Sequence, residues 1–363
     1  MQIDLSTIDR DSFLIKEGII GGKKVFLVNP NHLGCVFTQK NKIFRSSSWD
    51  EFGNLISAGF PKFKNAGEDE ENFPMPKNLI GTEALLKIDG SLLCFSKWNG
   101  NTIIRTRGTI DAAASLENGR EIGLLKEKYP KLFNFNNYKA ETLPYTILTE
   151  WTTPSNQIVI KYPEPELTLV GIVDHEKYEL ATQDFLDSFA KSYGLKRPKR
   201  YQFKSLTELF KTVEGWQLEE GEGIVLYSNN GQVLHKIKAQ KYLKLHYFKS
   251  TCNLNSLLDL FFEWKCPQIA DFRTKLETTF DYECLCQADL LIKDIEVALG
   301  EVAQKIIQFN SIKYKNRDLN QKDYALKVLE EHKENSSYLF ELRGKGELSP
   351  KSFRKLLERE LKI

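Results

Sequence analysis

The sequence predicts an α+β domain over residues 1–248 and an all-α domain over residues 249–363. In the first part, short runs of β-branched and aromatic residues alternate with turn residues and helical periods. In the second part, apolar residues recur at the three- and four-residue spacing of amphipathic helices. A length of 363 residues accommodates two domains, and a hydrophobic content of 41% is typical of a folded globular chain.

Two β-hairpins are predicted in the first part. One joins residues 92–98 to 102–106 through Asn99-Gly100, and the other joins residues 224–228 to 232–238 through a turn that ends in Gly. An Asn-Gly turn between two strand-like runs is the strongest short-range hairpin signal. The predicted sheets are therefore antiparallel.

Helices are predicted over residues 184–193 and throughout the second part. The final helix has Ser349 at its N-cap and Pro350 at its first position, both of which favour helix initiation. The periodic apolar residues of the second part form two series: Leu254, Leu257, Leu258, Phe261 and Trp264, then Leu291, Ile295, Leu299, Val302, Ile306 and Phe309.

Composition excludes several classes of protein. Lys and Arg number 51 and Asp and Glu number 49, so the net charge of +2 excludes a histone-like polycation. The apolar runs are too short for a membrane span, and the N-terminus shows no signal-peptide pattern. With six cysteines, no disulfide scaffold is expected, and we predict a protein of the cytosol, of a cell or of an infected host.

Four cysteines cluster near His246, at positions Cys252, Cys266, Cys284 and Cys286. Their spacing lacks the close pairs typical of structural zinc sites. Reduced, buried thiols are the favoured interpretation, and zinc binding stays open.

Lys87 begins the string Lys87-Ile88-Asp89-Gly90-Ser91, between an apolar run and the first hairpin. Alone, K-x-D-G is a weak signal that also suits a surface turn at the start of a strand. The functional alternative is a nucleophilic lysine, which attacks only when its amine is deprotonated. Burial, neighbouring cations or a metal lower the pKa of a lysine.

A second string begins at Glu222, in E-G-I-V, and is followed by Lys236-Ile237-Lys238. Residues two apart in a strand share a face, so the side chains of Lys236 and Lys238 point the same way. Two like charges are costly on a core face. They therefore face solvent, as on an ordinary polar strand, or meet an anion.

Three further strings carry charged residues in or beside strands. Glu150 lies in TEWTTPSNQIVI (residues 149–160), and the two arginines of I-R-T-R-G are predicted to lie on one face of a strand. Upstream are F-R-S and GFPKFKN. The cations of these strings are Arg45, Lys62, Arg105 and Arg107.

Together, these strings resemble the covalent nucleotidyltransferase superfamily, whose motif order is K-x-D-G, a strand Glu, E-G-x-V and K-x-K. The closest resemblance is to the phage-type RNA ligase 1 family of ATP-dependent RNA ligases. Residues 149–160 resemble its F-E-F-V-x-P-T-N-R-I-V segment, and HKIKAQKYLKLH (residues 235–246) resembles its K-I-K-x-x-x-Y-x-x-L-H segment. Ser91 after K-x-D-G is also common in RNA ligases. The resemblance covers about residues 40–250.

The resemblance implies a nucleotidyltransferase (ATP-dependent ligase adenylation) domain with antiparallel sheets over residues 1–248. It also implies an all-α C-terminal domain over residues 249–363. DNA ligases and capping enzymes usually continue into a small all-β barrel, which helical periodicity contradicts. The implied reaction joins 5′-phosphate and 3′-hydroxyl RNA ends through lysyl-AMP and RNA-adenylate intermediates, with ATP as co-substrate and Mg²⁺ or Mn²⁺.

By the same resemblance, catalytic roles fall to Lys87, Asp89, Glu222, Lys236 and Lys238. Glu222 would bind the metal near Lys87, and Glu150 would hold the adenosine ribose hydroxyl or a metal through water. The field of the two K-x-K lysines would lower the pKa of Lys87. The implied nucleotide-binding residues are Arg45, Lys62, Lys87, Gly90, Arg105, Arg107, Glu150, Glu222, Lys236 and Lys238.

Some positions leave alternatives open. Lys64 stands where the family has an aromatic, and Arg105 and Arg107 stand where it often has lysines, so their separate roles are undecided. Tyr242 matches a family tyrosine, and packing and functional roles suit it equally. Residues 191–204, rich in cations and aromatics, suit either RNA contact or a solvated loop.

The expected partner is RNA with 5′-phosphate and 3′-hydroxyl ends, with tRNA a candidate, bound by a monomer without membrane contact. The alternatives are a DNA ligase, a capping-type nucleotidyltransferase, and a catalytically weak RNA-binding relative. GTP in place of ATP, nicked DNA in place of RNA, and replacement of Lys87 would distinguish them.

Overall fold

A computed structural model describes residues 1–362 except 32–34, 113–119, 134–139, 156, 229–230, 266–267 and 281. The chain forms two compact units, residues 1–245 and 246–363. The predicted class is confirmed, since the first unit contains sheets and helices and the second is helical. The assignment of separate functions to residues 1–248 and 249–363 stays a prediction.

The first unit contains three sheets. The first sheet is antiparallel throughout and has the strand order β1-β2-β3-β4. A short 3-10 helix, Lys42–Arg45, precedes its third strand and carries Arg45. The four strands are β1 (Phe13–Ile20), β2 (Lys23–Pro30), β3 (Ser47–Asp50) and β4 (Leu55–Ser57).

The second sheet has four antiparallel strands. Of these four, the third along the chain lies beside the first. Its first two strands form the predicted Asn99-Gly100 hairpin, and both turn residues have positive φ angles of 47° and 75°. A two-residue turn of this kind matches the twist of the strands it joins. In the order β10-β9-β7-β8, the strands are β7 (Ser91–Trp98), β8 (Asn101–Thr106), β9 (Tyr145–Thr152) and β10 (Glu166–Asp174).

The third sheet has five strands, and one of its pairs, between β13 and β5, is parallel. The second predicted hairpin is confirmed by the antiparallel pairing of Ile224 with Ile237; turn residues 229 and 230 lie outside the described residues. In the order β11-β6-β12-β13-β5, the strands are β5 (Lys64–Asn65), β6 (Glu83–Leu86), β11 (Arg200–Tyr201), β12 (Gly223–Ser228) and β13 (Val233–Lys238).

Clusters of buried apolar residues hold the sheets in place. Trp49 of β3, Cys94 of β7 and Val225 of β12 belong to one buried cluster, so all three sheets share a core. On the other face of the second sheet, Leu125 and Leu186 pack with buried strand residues. Those two leucines lie on helices of the first unit, which are α1 (Arg120–Lys128), α2 (Pro130–Phe133), α3 (Gln183–Tyr193) and α4 (Leu206–Glu214).

The remaining helices follow β13. The predicted N-cap Ser349 accepts a hydrogen bond from the backbone N–H of Ser352, with Pro350 at the first position. No helix of the described residues is long and apolar enough to cross a membrane. These helices are α5 (Gln240–Thr251), α6 (Leu254–Glu263), α7 (Ile269–Thr279), α8 (Tyr282–Lys315), α9 (Gln321–Glu331), α10 (Ser336–Lys345) and α11 (Pro350–Leu361).

Candidate active site

Lys87 lies directly after β6, where the chain turns into β7. Its backbone N–H donates to the carbonyl of Gly223, 2.8 Å away, so the K-x-D-G turn is fixed to the start of β12. The side chain is 22% exposed, and its Nζ atom lies 2.7 Å from Oε2 of Glu222. The fold thus brings together two residues that lie far apart in the sequence.

Glu222 is a buried carboxylate, 1% exposed, held between two lysines. Oε2 accepts from Lys87, and Oε1 lies 2.8 Å from Nζ of Lys238. Removing one partner of such a buried group leaves an uncompensated charge, which is strongly destabilising. Glu222 therefore fixes the positions of two of the predicted site lysines.

The charge balance around Lys87 differs from the expectation. Burial lowers the pKa of Lys87, but the combined effect of Glu222, Glu150 and Asp89 outweighs burial and raises it. The predicted net lowering of the pKa of Lys87 is therefore wrong for this arrangement, although Lys87 and Lys236 do repel each other. The reason is distance: a carboxylate oxygen lies within hydrogen-bond reach of Nζ, and opposite charges stabilise the ammonium form.

Asp89 is almost fully buried and connects three segments. Its Oδ2 atom accepts from the backbone N–H groups of Val159 and Ile160, at 2.9 and 2.8 Å. Its Oδ1 atom accepts from the hydroxyl of Tyr242 at 2.7 Å, and its own backbone N–H donates to the hydroxyl of Tyr162. Asp89 therefore acts as an anchor of the nucleophile's turn, and Tyr242 has more than a packing role.

Gly90 lies where a side chain has no room. A Cβ atom there would be 2.4 Å from the carbonyl oxygen of Trp151 and 3.1 Å from Cγ of Glu150. Because the first obstacle is backbone, rearranging side chains would not relieve it. The glycine lets the K-x-D-G turn approach β9 closely.

Glu150 lies on β9, paired with Leu92 of β7 and Thr168 of β10. Burial raises the pKa of its carboxyl to about 7, with further raising by Glu222 and Asp89 and a lowering effect of Lys87. Perturbation by burial and nearby charges is typical of functional sites. The carboxyl therefore changes charge near neutral pH.

A cluster of cations lies beside this acidic group. Burial lowers the pKa of Lys236 to about 8, and Lys238, Arg45 and Lys62 lower it further. Burial also lowers the pKa of Lys62, with Arg45 as the next cause. Mutual repulsion of this kind requires proximity, so these four predicted residues lie near one another, and a polyanion would relieve their repulsion.

The ring of Phe63 lies beneath two of these cations. The guanidinium carbon of Arg45 is 5.1 Å from the ring centroid, and Nζ of Lys236 is 5.9 Å from it. Lys64, the departure from the family pattern, lies instead near Glu68 and Asp69, at 3.4 and 3.5 Å. Cation–π contacts thus help to hold the pocket's cations in place.

The two arginines of I-R-T-R-G differ in environment. Arg105 lies on β8, is fully buried and is hydrogen-bonded within the protein, whereas Arg107 lies beyond the end of β8 and is exposed. The expectation that both arginines lie on one face of a strand is therefore wrong, because β8 ends at Thr106. The pKa of Arg45 is lowered to about 10, first by burial and next by the charge of Arg107. Arg107 therefore lies near Arg45.

Two polar residues of the site were missed by sequence analysis. Tyr162 accepts from the N–H of Asp89, and Glu121 of α1 accepts from Trp151 Nε1 and Ser155 Oγ, both at 2.9 Å. Tyr162 directly follows the quoted segment 149–160, which was a usable signal. Glu121 had no signal, because its partners are set by packing of α1 on the sheet.

Two other sequence hypotheses have different outcomes. In residues 191–204, Lys196 pairs with Glu166, and Arg197 and Arg200 both pair with Asp187, which favours a structural role over RNA contact. The zinc hypothesis is untested, because residue 266 and the side chains of residues 284 and 286 lie outside the described residues. Among the residues that are described, no group of three or more His, Cys, Asp or Glu side chains is placed to hold a metal.

The RNA ligase family model matches residues 35–266, which is more than half of the chain and includes every predicted catalytic and nucleotide-binding residue. The chain belongs to the phage-type RNA ligase 1 family. The prediction of an RNA ligase is therefore confirmed at the level of the family. The separate roles of the site residues stay predictions.

Two proteins illustrate the relationship of this RNA ligase family member. It is 25% identical to an RNA ligase of Rhodothermus phage RM378 over 90% of this chain and 87% of the phage protein. It is 27% identical to a putative bifunctional polynucleotide kinase/RNA ligase of Autographa californica nuclear polyhedrosis virus. That match covers 59% of this chain and 30% of the viral protein.

Solved structures with similar folds are more distant. An archaeal ATP-dependent RNA ligase is 15% identical, with a TM-score of 0.45, over 79% of this chain and 76% of that chain. A putative ATP-dependent DNA ligase from Aquifex aeolicus is 16% identical, also with a TM-score of 0.45, over 81% of this chain and 78% of that chain. The family assignment rests on the sequence match.

Proposed function

We propose that this RNA ligase uses ATP to join a 5′-phosphate to a 3′-hydroxyl of RNA, through Lys87. The observation that carries the proposal is the placement of Lys87 between the Glu222 carboxylate, 2.7 Å away, and a cluster of cations. A nucleophile beside a base and near a phosphate-binding pocket suits nucleotidyl transfer.

In the first step, Nζ of Lys87 attacks the α-phosphorus of ATP. A P–N bond forms, the bond from that phosphorus to the bridging oxygen breaks, and pyrophosphate leaves. Lys87 must first lose a proton, and Glu222 lies within hydrogen-bond reach to accept it. The P–N bond then breaks as a 5′-phosphate oxygen of RNA takes the AMP, and a 3′-hydroxyl finally displaces AMP.

The cations neutralise phosphate charge during these displacements. Lys236 and Lys238 share a face of β13 and would contact the α-phosphate, while Arg45, Lys62 and Arg107 would contact the outer phosphates. Because phosphoryl transfer needs little covalent help from the protein, positioning and charge neutralisation supply most of the catalysis.

We propose that the carboxylates of Glu150 and Glu222 would hold a divalent cation, which would take the place of lysine contacts that Glu222 now makes. Mg²⁺ is commonly held by one or two carboxylates together with substrate phosphates, so a larger cluster of protein ligands is unnecessary. When bound, it would neutralise phosphate charge and polarise a phosphoryl oxygen. We propose Mg²⁺ as the metal, and Glu150 would also accept a hydrogen bond from the ribose.

The family also motivates a location for catalysis and a substrate. Catalysis would reside in residues 1–248, and tRNA is a candidate substrate for which the family supplies the motivation. We propose a monomer acting in the cytosol, consistent with six cysteines and no disulfide pattern in the sequence.

The test uses the full chain with ATP labelled at the α-phosphate and Mg²⁺. We expect covalent labelling that Lys87→Ala abolishes and that Lys177→Ala, at an exposed lysine of the same unit, leaves unchanged. Labelling that survives Lys87→Ala would overturn the assignment of the nucleophile. RNA with paired 5′-phosphate and 3′-hydroxyl ends should be sealed, whereas sealing of nicked DNA alone would overturn the substrate class.

A further inference from the structure

Arg105 lies on β8, the edge strand of the second sheet, opposite Cys94 of β7. Its exposed fraction is 0%, and it is one of the largest fully buried side chains of the described residues. Within the described part of the chain, no carboxylate forms an ion pair with it. A buried guanidinium without a counter-ion is costly, so its hydrogen bonds must offset that cost.

The hydrogen bonds of Arg105 account for every donor of the side chain. Nε donates to Ser57 Oγ at 2.8 Å, Nη1 donates to Ser46 Oγ at 2.7 Å and to the Thr106 carbonyl at 3.1 Å. Nη2 donates to the carbonyls of Ser46 and Ser57, at 3.0 and 3.1 Å. A guanidinium has five N–H donors, so none is left for a nucleotide phosphate.

Ser46 connects Arg105 to both Arg45 and Arg107. It follows Arg45 directly in the chain, and its hydroxyl donates to the carbonyl oxygen of Arg107 at 2.9 Å. Gly59 packs closely against Ser46: a Cβ atom at position 59 would lie 2.4 Å from the Ser46 carbonyl oxygen. The backbone at Ser46 is therefore held from several sides.

Arg45 and Arg107 repel each other, and a flexible scaffold would let them separate. The repulsion is visible in the pKa of Arg45, which burial and then Arg107 lower. Two guanidinium groups that must act on the same polyanion need a rigid backbone beneath them. Arg105 supplies that rigidity through its hydrogen bonds to Ser46, which follows Arg45 in the chain and is itself bonded to Arg107.

We propose that Arg105 is a positioning residue that fixes the spacing of Arg45 and Arg107 and does not itself contact ATP. This inference rests on the proposed function, in which Arg45 and Arg107 contact the outer phosphates of ATP. The two arginines of I-R-T-R-G then have different roles: Arg105 supports the backbone, and Arg107 contacts phosphate.

The test is a double-mutant cycle in the full chain, with the KM for ATP in covalent adenylate formation as the readout. Lysine keeps the charge but lacks the planar fork, so Arg105→Lys breaks the network while retaining a cation. We expect Arg105→Lys to raise the KM about 10-fold, the effect of losing a charge-assisted hydrogen bond. In the Arg45→Ala background the same change should raise it less than about 2-fold, since coupled residues act non-additively.

Equal fold-changes in both backgrounds would show independent action and overturn the proposal. An unchanged KM with a lowered melting temperature would show a purely structural role and would also overturn it. Arg10→Lys, at an exposed arginine, is the matched control.

If Arg105→Lys fails to fold, Ser46→Ala tests the same link, because it removes the hydroxyl between Arg105 and Arg107. Its increase in KM should also shrink in the Arg45→Ala background, and an additive increase would contradict the proposal. A wild-type chain that forms no adenylate would refute the proposed function instead, so the two failures are distinguishable.

Discussion

Nζ of Lys87 lies 2.7 Å from Oε2 of Glu222, and this ion pair sets the protonation state from which the reaction must start. Although burial lowers the pKa of Lys87, Glu222 and Glu150 raise it above the ordinary value of a lysine. The amine therefore becomes available only when this balance is changed, by a higher pH or by charge that competes for the carboxylates.

The first prediction concerns the pH dependence of adenylate formation. The single-turnover rate should rise with pH, since only the deprotonated amine attacks. Glu222→Gln removes a cause of the raised pKa, so the rise should move to lower pH while the maximal rate falls roughly 100-fold. Glu219→Gln, at an exposed carboxylate nearby, is the control. A rise at the same pH in Glu222→Gln would contradict this account.

The second prediction concerns the cost of Glu150 to stability. Its carboxyl has a pKa of about 7 in the folded chain, against about 4.3 in the unfolded chain. Between these values the folded state holds a proton that the unfolded state has lost, so this contribution to stability falls as pH rises through that window.

Glu150→Gln removes that contribution. Above pH 7 this substitution should stabilise the chain by about 1–2 kcal/mol. That is less than the free energy corresponding to the whole pKa shift, because the carboxyl is only half-buried. Below about pH 4 the difference should vanish, since both states then hold the proton. Urea unfolding across pH measures it, with the exposed Glu164→Gln as control. A difference that does not depend on pH would be inconsistent with the raised pKa.

The third prediction concerns the bond from Tyr242 to Asp89. Tyr242→Phe removes one of three hydrogen bonds to a buried carboxylate, and should destabilise the chain by about 1–2 kcal/mol. It should also slow adenylate formation, because Asp89 anchors the turn of Lys87. Tyr227→Phe is the control: that tyrosine is also buried, but its hydroxyl lies 3.5 Å from its acceptor, the carbonyl of Val170. Equal losses in both variants would show that the bond to Asp89 has no special role.

The fourth prediction concerns close approach of the K-x-D-G turn to β9. Gly90→Ala would place a methyl 2.4 Å from the Trp151 carbonyl oxygen, so it should destabilise by about 1–3 kcal/mol and greatly reduce adenylate formation. Gly123→Ala, on α1, meets no described atom within 4 Å and should stabilise the helix by about 0.5–1 kcal/mol. Thermal unfolding and labelling measure both. Normal labelling by Gly90→Ala would rule out the steric argument.

Local features of the fold were accessible from sequence because short-range rules specify them. The Asn99-Gly100 turn predicted its hairpin, and Ser349-Pro350 predicted the start of the last helix. The motif order likewise identified Lys87 and Glu222 as candidates and the family to which the chain belongs. Each of these signals lies within a few residues of the chain, where turn and capping geometry act directly.

Only the tertiary structure decided which charges act on which. Whether Arg105 or Arg107 faces the pocket depends on where β8 ends, and the direction of the pKa shift of Lys87 depends on a carboxylate 135 residues away. The partners of Asp89 and Glu121 come from segments joined by strand register and helix packing. Electrostatic energies depend on distance in space, and a sequence specifies that distance only after the chain has folded.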